Sequence, residues 1–301
     1  MKILHISSFE EKGGAALAAS RLNTLLISRE IDSSMVTISD KNDFKRVASF
    51  YNQSSIVPKI RNLIDKVPHK IIYGHKKGNF SSNLIPNKKI VAEIKRIKPD
   101  IIHLHWINAA FFKISDLKGI NIPIVWSLHD MWPITGGCHY SMGCLRFQNE
   151  CGNCILLKRP SKNDLSKINF LQKREAISNI KNLTFNIPSS WLQKYAMESS
   201  ISKKHSFVSI PNPIPRSKFF CLNSKKTNLS LPCINFFLAS ANPQSDPRKG
   251  LDKYSKLASS FSSIERFKFY VISDHDLEIS DLISIKPVFG SHRLNKLYNK
   301  M

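Results

Sequence analysis

Ile101-Ile-His103-Leu-His105-Trp106 and, a short way on, Ile122-Pro-Ile-Val-Trp126-Ser-Leu128-His129-Asp130-Met-Trp132-Pro133 decide the fold. Each begins as an apolar run of the kind that fills a buried strand and finishes in His, Trp and Asp. Two such strands imply a parallel sheet whose carboxyl edge faces a ligand, because open α/β sheets bind substrates there. The chemistry is therefore expected at Trp106 and His129-Asp130. Four cysteines, Cys138, Cys144, Cys151 and Cys154, follow at once.

Working outward, residues 2–7 alternate as a short strand, Lys12-Gly13-Gly14 turns, and 15–28 reads as a helix rich in Ala and Leu. A second strand is expected at 34–39. The basic region from Asp40 to Lys89 shows weak periodicity and reads as helices and loops. A helix at 90–97, strands at 100–104 and 122–128, a helix at 169–180, a strand at 183–187, a Ser-capped helix to Glu198 and a strand at 205–210 complete an alternating pattern, the mark of an α/β parallel sheet. Pro211-Asn-Pro-Ile-Pro215 breaks it, and the polar stretch to Leu229 reads as an interdomain connection. A second α/β unit follows: a strand at 234–239, the turn Asp246-Pro-Arg248-Lys249-Gly250, a helix from Leu251, a strand at 267–272 and a helical start at 294–301. Two domains are expected, 1–213 and 214–301.

At 301 residues and 42% hydrophobic the chain can bury real cores, and no apolar run reaches the roughly 18 to 20 residues of a membrane span. The amino terminus lacks the long apolar stretch and cleavage site of a secretory signal, which points to a cytoplasmic protein. Lys and Arg number 45 against 22 Asp and Glu, a net +23 that favours anionic partners: nucleotide diphosphates or a lipid surface. A biased Lys-, Ile- and Asn-rich composition gives the same excess on a merely solvated surface. No arginine-rich block or aromatic-interleaved module argues for nucleic acid.

Gly13-Gly14 before a helix can bring backbone N–H groups against a phosphate, although an ordinary tight turn needs the same residues and the full dinucleotide fingerprint is missing. His129 and Asp130 at a strand end offer hydrogen-bonding and proton-transfer groups, with His105 near them and Trp106 and Trp132 as the apolar wall of a sugar site; buried structural histidines are the rival reading, strongest for His103. The spacing C-x5-C-x6-C-x2-C over a Cys-rich loop at 136–156 can close a tetrahedral structural zinc site, with His139 as a substitute ligand. Disulfides, independent buried thiols or a catalytic cysteine remain open alternatives. Such a zinc, closed by four protein ligands, leaves no position to activate water. Arg248-Lys249-Gly250 can set two cations and a helix start beside a diphosphate.

Together, Gly13-Gly14-Ala, His103-Leu-His105-Trp106, Trp126 to Tyr140, the Cys144 to Cys154 segment, Pro188-Ser-Ser-Trp191, Pro211-Asn-Pro and Pro247-Arg-Lys-Gly250 resemble the retaining glycosyltransferases of family 4, in the branch that builds bacterial exopolysaccharide and O-antigen. The resemblance implies a GT-B fold of two Rossmann-like domains, acceptor held by the first and nucleotide-sugar by the second, with no catalytic metal. It implies retaining hexosyl transfer from a nucleotide diphosphate sugar to a lipid-linked saccharide acceptor, at the inner face of the plasma membrane. By the same likeness Gly14 lies near the donor diphosphate, His129 near the transferred sugar, and Arg248 with Lys249 on the diphosphate. The family's second domain carries a paired-glutamate motif whose spacing the late Glu265 and Glu278 do not match, so the second domain is expected to be incomplete and the alternative function is an inactive saccharide- or partner-binding remnant.

Overall fold

The computed structural model describes residues 1–38, 47–51, 54–74, 79–216, 219–220, 233–240, 243–273, 277–285 and 291–300. The chain divides into two compact units, Met1–Pro213 and Ile214–Met301.

In the first unit the elements are β1 (Lys2–Ile6), α1 (Gly14–Ser28), β2 (Asp32–Thr37), β3 (Val47–Ser49), α2 (Val57–Val67), α3 (Lys88–Ile97), β4 (Ile101–Leu104), β5 (Ile124–Ser127), α4 (Leu165–Ser178), β6 (Leu183–Asn186), α5 (Ser190–Glu198) and β7 (Ser206–Val208). The strands form one sheet in the order β3-β2-β1-β4-β5-β6-β7, every pair parallel. From β1 the order runs one way to β2 and from β4 the other way to β5, so the sheet reverses direction between β1 and β4. Crevices at such points open at the carboxyl ends of the strands. Leu4, Ile6, Ile102, Leu104, Trp126 and Phe185, all fully buried, make the sheet's part of the core; each large apolar side chain so buried contributes about 1.5–3 kcal/mol.

The second unit has β8 (Ile234–Ala239), α6 (Leu251–Ser260), β9 (Phe267–Ile272), β10 (Ile283–Ile285) and α7 (Ser291–Lys300). Its three strands pair in parallel in the order β10-β9-β8. Leu251 on α6 packs with Val271 on β9 and with Leu277.

Several expected boundaries shift for local reasons. α4 starts at Leu165 rather than 169 because the Asp164 carboxylate accepts the Ser166 and Lys167 N–H groups, a strong N-cap. α3 starts at Lys88 because Asn87 caps it. The expected strands at 34–39, 122–128 and 205–210 are the shorter or displaced β2, β5 and β7. Within 40–89, where only helices and loops were expected, β3 adds an edge strand. Residues 39–46, 52–53 and 75–78 lie outside the described residues, as do 217–218 and 221–232 of the expected interdomain connection. Among the described residues no helix is long and apolar enough to cross a membrane.

α2 is built inside out. Its inward face is polar: the Arg61 guanidinium donates to Ala110 O (2.9 Å) and Pro86 O (2.9 Å), and the buried Asp65 carboxylate, one turn on, accepts the N–H groups of Asn83 (2.9 Å) and Leu84 (2.7 Å). A π-helical turn, Pro68–Ile72, extends this face to the buried His69. Val57, Ile60, Leu63, Ile64, Val67 and Ile71 stand exposed, Leu63 at 68% and Ile71 at 69%.

Candidate functional site

Parallel pairing sets His5 on β1 opposite His103 on β4, and the two-residue period of a strand puts His105 on the same face. The side chains then link: His5 Nδ1 lies 3.0 Å from His105 Nε2, and His105 Nδ1 lies 3.3 Å from His129 Nε2 just beyond β5. His103 Nε2 meets Ser127 Oγ at 2.8 Å, and its ring stacks on His105 at 4.2 Å. Three imidazoles thus run in line from the sheet interior to its carboxyl edge. Burial drives all of them toward the neutral form: His5 falls to about 3 and His103 to about 4, each helped by a neighbouring histidine, and His105 falls well below 6.5. His129 is also lowered by burial, against the opposing pull of Asp130.

Asp130 is a hub. Its Oδ2 accepts from the Trp106 indole N–H (3.1 Å) and from His139 Nδ1 (2.6 Å), and its Oδ1 accepts the Trp132 N–H (2.8 Å). Burial works to raise this carboxyl, but His139, Trp132 and Trp106 together hold it below its ordinary value. Expected to touch ligand, Asp130 instead has both oxygens engaged by the protein and acts by fixing Trp106 and His139. His105, Trp106, Asn108, His129 and Asp130 line a small cavity with Ser127.

Trp132 lines the same cavity although it is largely buried: its indole N–H donates to Ser81 O (2.9 Å), and the Lys173 ammonium sits 3.9 Å over its ring. One expectation is corrected here. His139 is not placed as a substitute metal ligand, because Nδ1 is on Asp130 and Nε2 is 2.8 Å from Ser81 Oγ. His5, which sequence reasoning passed over, is the inner end of the histidine line; its pairing with His103 was the signal that could have found it.

Gly13 and Gly14 open α1. Gly13 is the N-cap with φ 91°, and a Cβ on either glycine would meet nothing within 4 Å. The chain's own packing therefore makes no demand for glycine at 14; the space above the helix start is open, as a ligand approaching the backbone needs. In the second unit Arg248 is clasped by Asp246, with Nε to Oδ1 at 2.7 Å and Nη2 to Oδ2 at 2.6 Å, and so offers less charge than expected; Lys249 beside it is exposed.

The four cysteines of the 136–156 loop are free thiols that line one cavity with Gly136, Gly137 and Phe80. Burial raises the Cys138 thiol to about 12 and raises Cys151 and Cys154 as well. Among the described residues the potential metal-ligating atoms lying within 4.8 Å of one another belong to His5, His103 and His105, not to the cysteines. Both nitrogens of His105 are already committed, to His5 and His129, so that trio is a hydrogen-bonded chain and fits a metal poorly.

The model of the family described as Glycosyltransferase Family 4 matches residues 12–165. WcaC of Escherichia coli (strain K12), which carries the name of a colanic acid biosynthesis glycosyl transferase, is 31% identical over 62 residues, 19% of this chain and 15% of that protein. Among solved structures, trehalose-6-phosphate from E. coli bound with UDP-2-fluoro glucose aligns with TM-score 0.55 and the OtsA apo structure with 0.53, each at 11% identity over 99% of this chain and 76% of the other. At that identity the likeness concerns the fold, an α/β GT-B fold.

Proposed function

This chain belongs to glycosyltransferase family 4, and we propose that it transfers a sugar from a nucleotide diphosphate sugar to a saccharide acceptor, with His129 as the group nearest the reacting sugar. The observation that carries the reading is the pairing of open backbone at Gly13-Gly14 with the histidine line ending at His129, both at the carboxyl edge of one parallel sheet. The N–H groups opening α1 receive a donor phosphate with no side chain in the way, and the positive helix end favours its charge. His129, with Nε2 held by His105, turns Nδ1 to a sugar hydroxyl.

In the reaction the bond from the anomeric carbon to the phosphate oxygen breaks. The acceptor hydroxyl oxygen bonds to that carbon on the same face, retaining configuration, and its proton passes to the departing phosphate. The N–H groups and positive end of α1 complement the charge that develops on the leaving group.

We further assign the acceptor to a lipid-linked saccharide of cell-surface polysaccharide synthesis, and the working place of the protein to the cytoplasmic face of the plasma membrane. WcaC's name supports the first. The inside-out α2 supports the second: an exposed apolar stripe flanked by Lys59, Lys66 and Lys70, in a chain of net +23, suits an anionic bilayer surface, where each basic residue contributes about 1 kcal/mol.

The test is calorimetric titration with nucleoside diphosphates and a panel of nucleotide sugars, followed by an assay of nucleotide release with lipid-linked acceptors. Binding and release that fall together in His129→Ala are expected. Absence of any nucleotide binding overturns the reading, and binding without release in every donor–acceptor pair replaces it with a saccharide-binding role.

A further inference from the structure

The four cysteines have no part in the reading above, and their surroundings are specific. Cys151 packs on Gly136 so closely that a Cβ at 136 would lie 2.9 Å from the Cys151 Cβ and 2.2 Å from Ser166 O. The Asp164 carboxylate accepts the Cys154 N–H (2.7 Å) and the Ser166 hydroxyl (2.6 Å), and all four cysteines line one cavity. Gly152, with φ 136°, has the Lys162 carbonyl where a Cβ would stand, so the tight turn between the last two cysteines admits only glycine. Four thiols converging on one cavity, two of them from a Cys-x2-Cys turn, are the donor set of a structural zinc site.

We infer that Cys138, Cys144, Cys151 and Cys154 form a structural tetrathiolate site for one zinc ion. In the described conformation no three of the sulfurs lie within 4.8 Å of one another. A tetrahedral site with Zn–S of about 2.3 Å sets sulfurs roughly 3.8 Å apart, so binding the ion draws the loop inward. All four positions are protein-filled, and the ion has no role in the transfer chemistry. Its effect reaches the site through the chain: Cys138 precedes His139, which grips Asp130, and Thr135 Oγ1 donates to Cys138 O (2.7 Å). The ion therefore fixes the far wall of the Trp106–Asp130 hub.

Zinc content of protein purified from zinc-supplemented medium tests this by elemental analysis, with cobalt substitution as the second readout. One zinc per chain and the intense visible bands of tetrahedral thiolate cobalt are expected. The pair of substitutions Cys151→Ser and Cys154→Ser should abolish both. Should the serine variant fail to fold, titrating the wild-type thiols with a mercurial must release the zinc in step with modification of these four thiols, apart from Cys221 and Cys233. Metal-free protein with all six thiols alkylatable, a disulfide among these four found by mass spectrometry, or bound metal indifferent to the cysteines overturns the assignment.

Discussion

His105 Nδ1 stands 3.3 Å from His129 Nε2, so one proton lies between two imidazoles and the tautomer of the outer ring is set by the inner one. His105 is itself held at Nε2 by His5, 3.0 Å away. A site residue at the sheet edge is thus oriented from two strands deep.

Breaking that line should disturb catalysis more than folding. His105→Gln keeps hydrogen-bonding capacity but removes the ring that fixes His129, and a loss of about 10² in kcat with a smaller change in KM is expected, in the range for a misdirected group at a reacting centre. The nitrogen NMR signature of His129 should shift from one tautomer toward a mixture. An unchanged signature with reduced kcat assigns the loss to packing instead.

The same cluster makes the protein acid-sensitive. His5 and His103 titrate near 3 and 4 in the folded state against about 6.5 when unfolded, so below pH 6.5 the unfolded chain takes up protons that the native state refuses. Stability should fall as pH drops from about 6.5 toward 4. Urea unfolding followed across that window measures the slope, and His5→Phe should flatten it.

Asp130→Asn removes the charge that His139, Trp106 and the Trp132 N–H all address. Loss of one partner in a mostly buried pair costs about 3–5 kcal/mol when nothing replaces it; the amide retains one acceptor, so about 2–3 kcal/mol is expected from chemical denaturation.

Two glycines should behave oppositely. Gly14→Ala meets open space at the start of α1 and should leave stability unchanged or raise it by about 0.4–1 kcal/mol, while weakening nucleotide-sugar binding tenfold or more, about 1.4 kcal/mol. Gly136→Ala drives a methyl into the Ser166 carbonyl and should unfold the loop. Thermal melts and calorimetric titrations of the two variants, run side by side, separate ligand approach from packing.

Leu63→Glu with Ile64→Glu should cut binding to vesicles containing anionic lipid several-fold without lowering Tm, because neither side chain is buried in the fold. High salt should weaken the wild-type binding over the scale of a Debye length, about 8–10 Å at moderate ionic strength. A fall in Tm with intact vesicle binding would refute this surface.

The sheet was legible because β1, β4, β5 and β6 are apolar runs with helical stretches between them, and His105, His129 and Asp130 were legible because they close two such runs. The roles within that cluster were not. Whether Asp130 faces ligand or protein depends on His139, which grips it and is itself held by Ser81 from 58 residues earlier in the chain. The Arg248 clamp misled because Asp246, two residues earlier, bends back onto it, a local pairing that a search for cations passes over. α2 escaped for a different reason: its periodicity is regular, but Arg61 and Asp65 face inward, the reverse of the usual pattern for a surface helix.

That reversal bears on how the protein behaves once made. Most chains retire their stickiest surface on reaching the native state, so self-association is a hazard of the nascent and partly folded forms. Here Ile60, Leu63, Ile64 and Ile71 stay outside after folding is complete. A chaperone that releases only native protein gives this helix no shelter. The ceiling on its soluble concentration is set by the finished molecule, and rises when lipid or detergent covers the stripe.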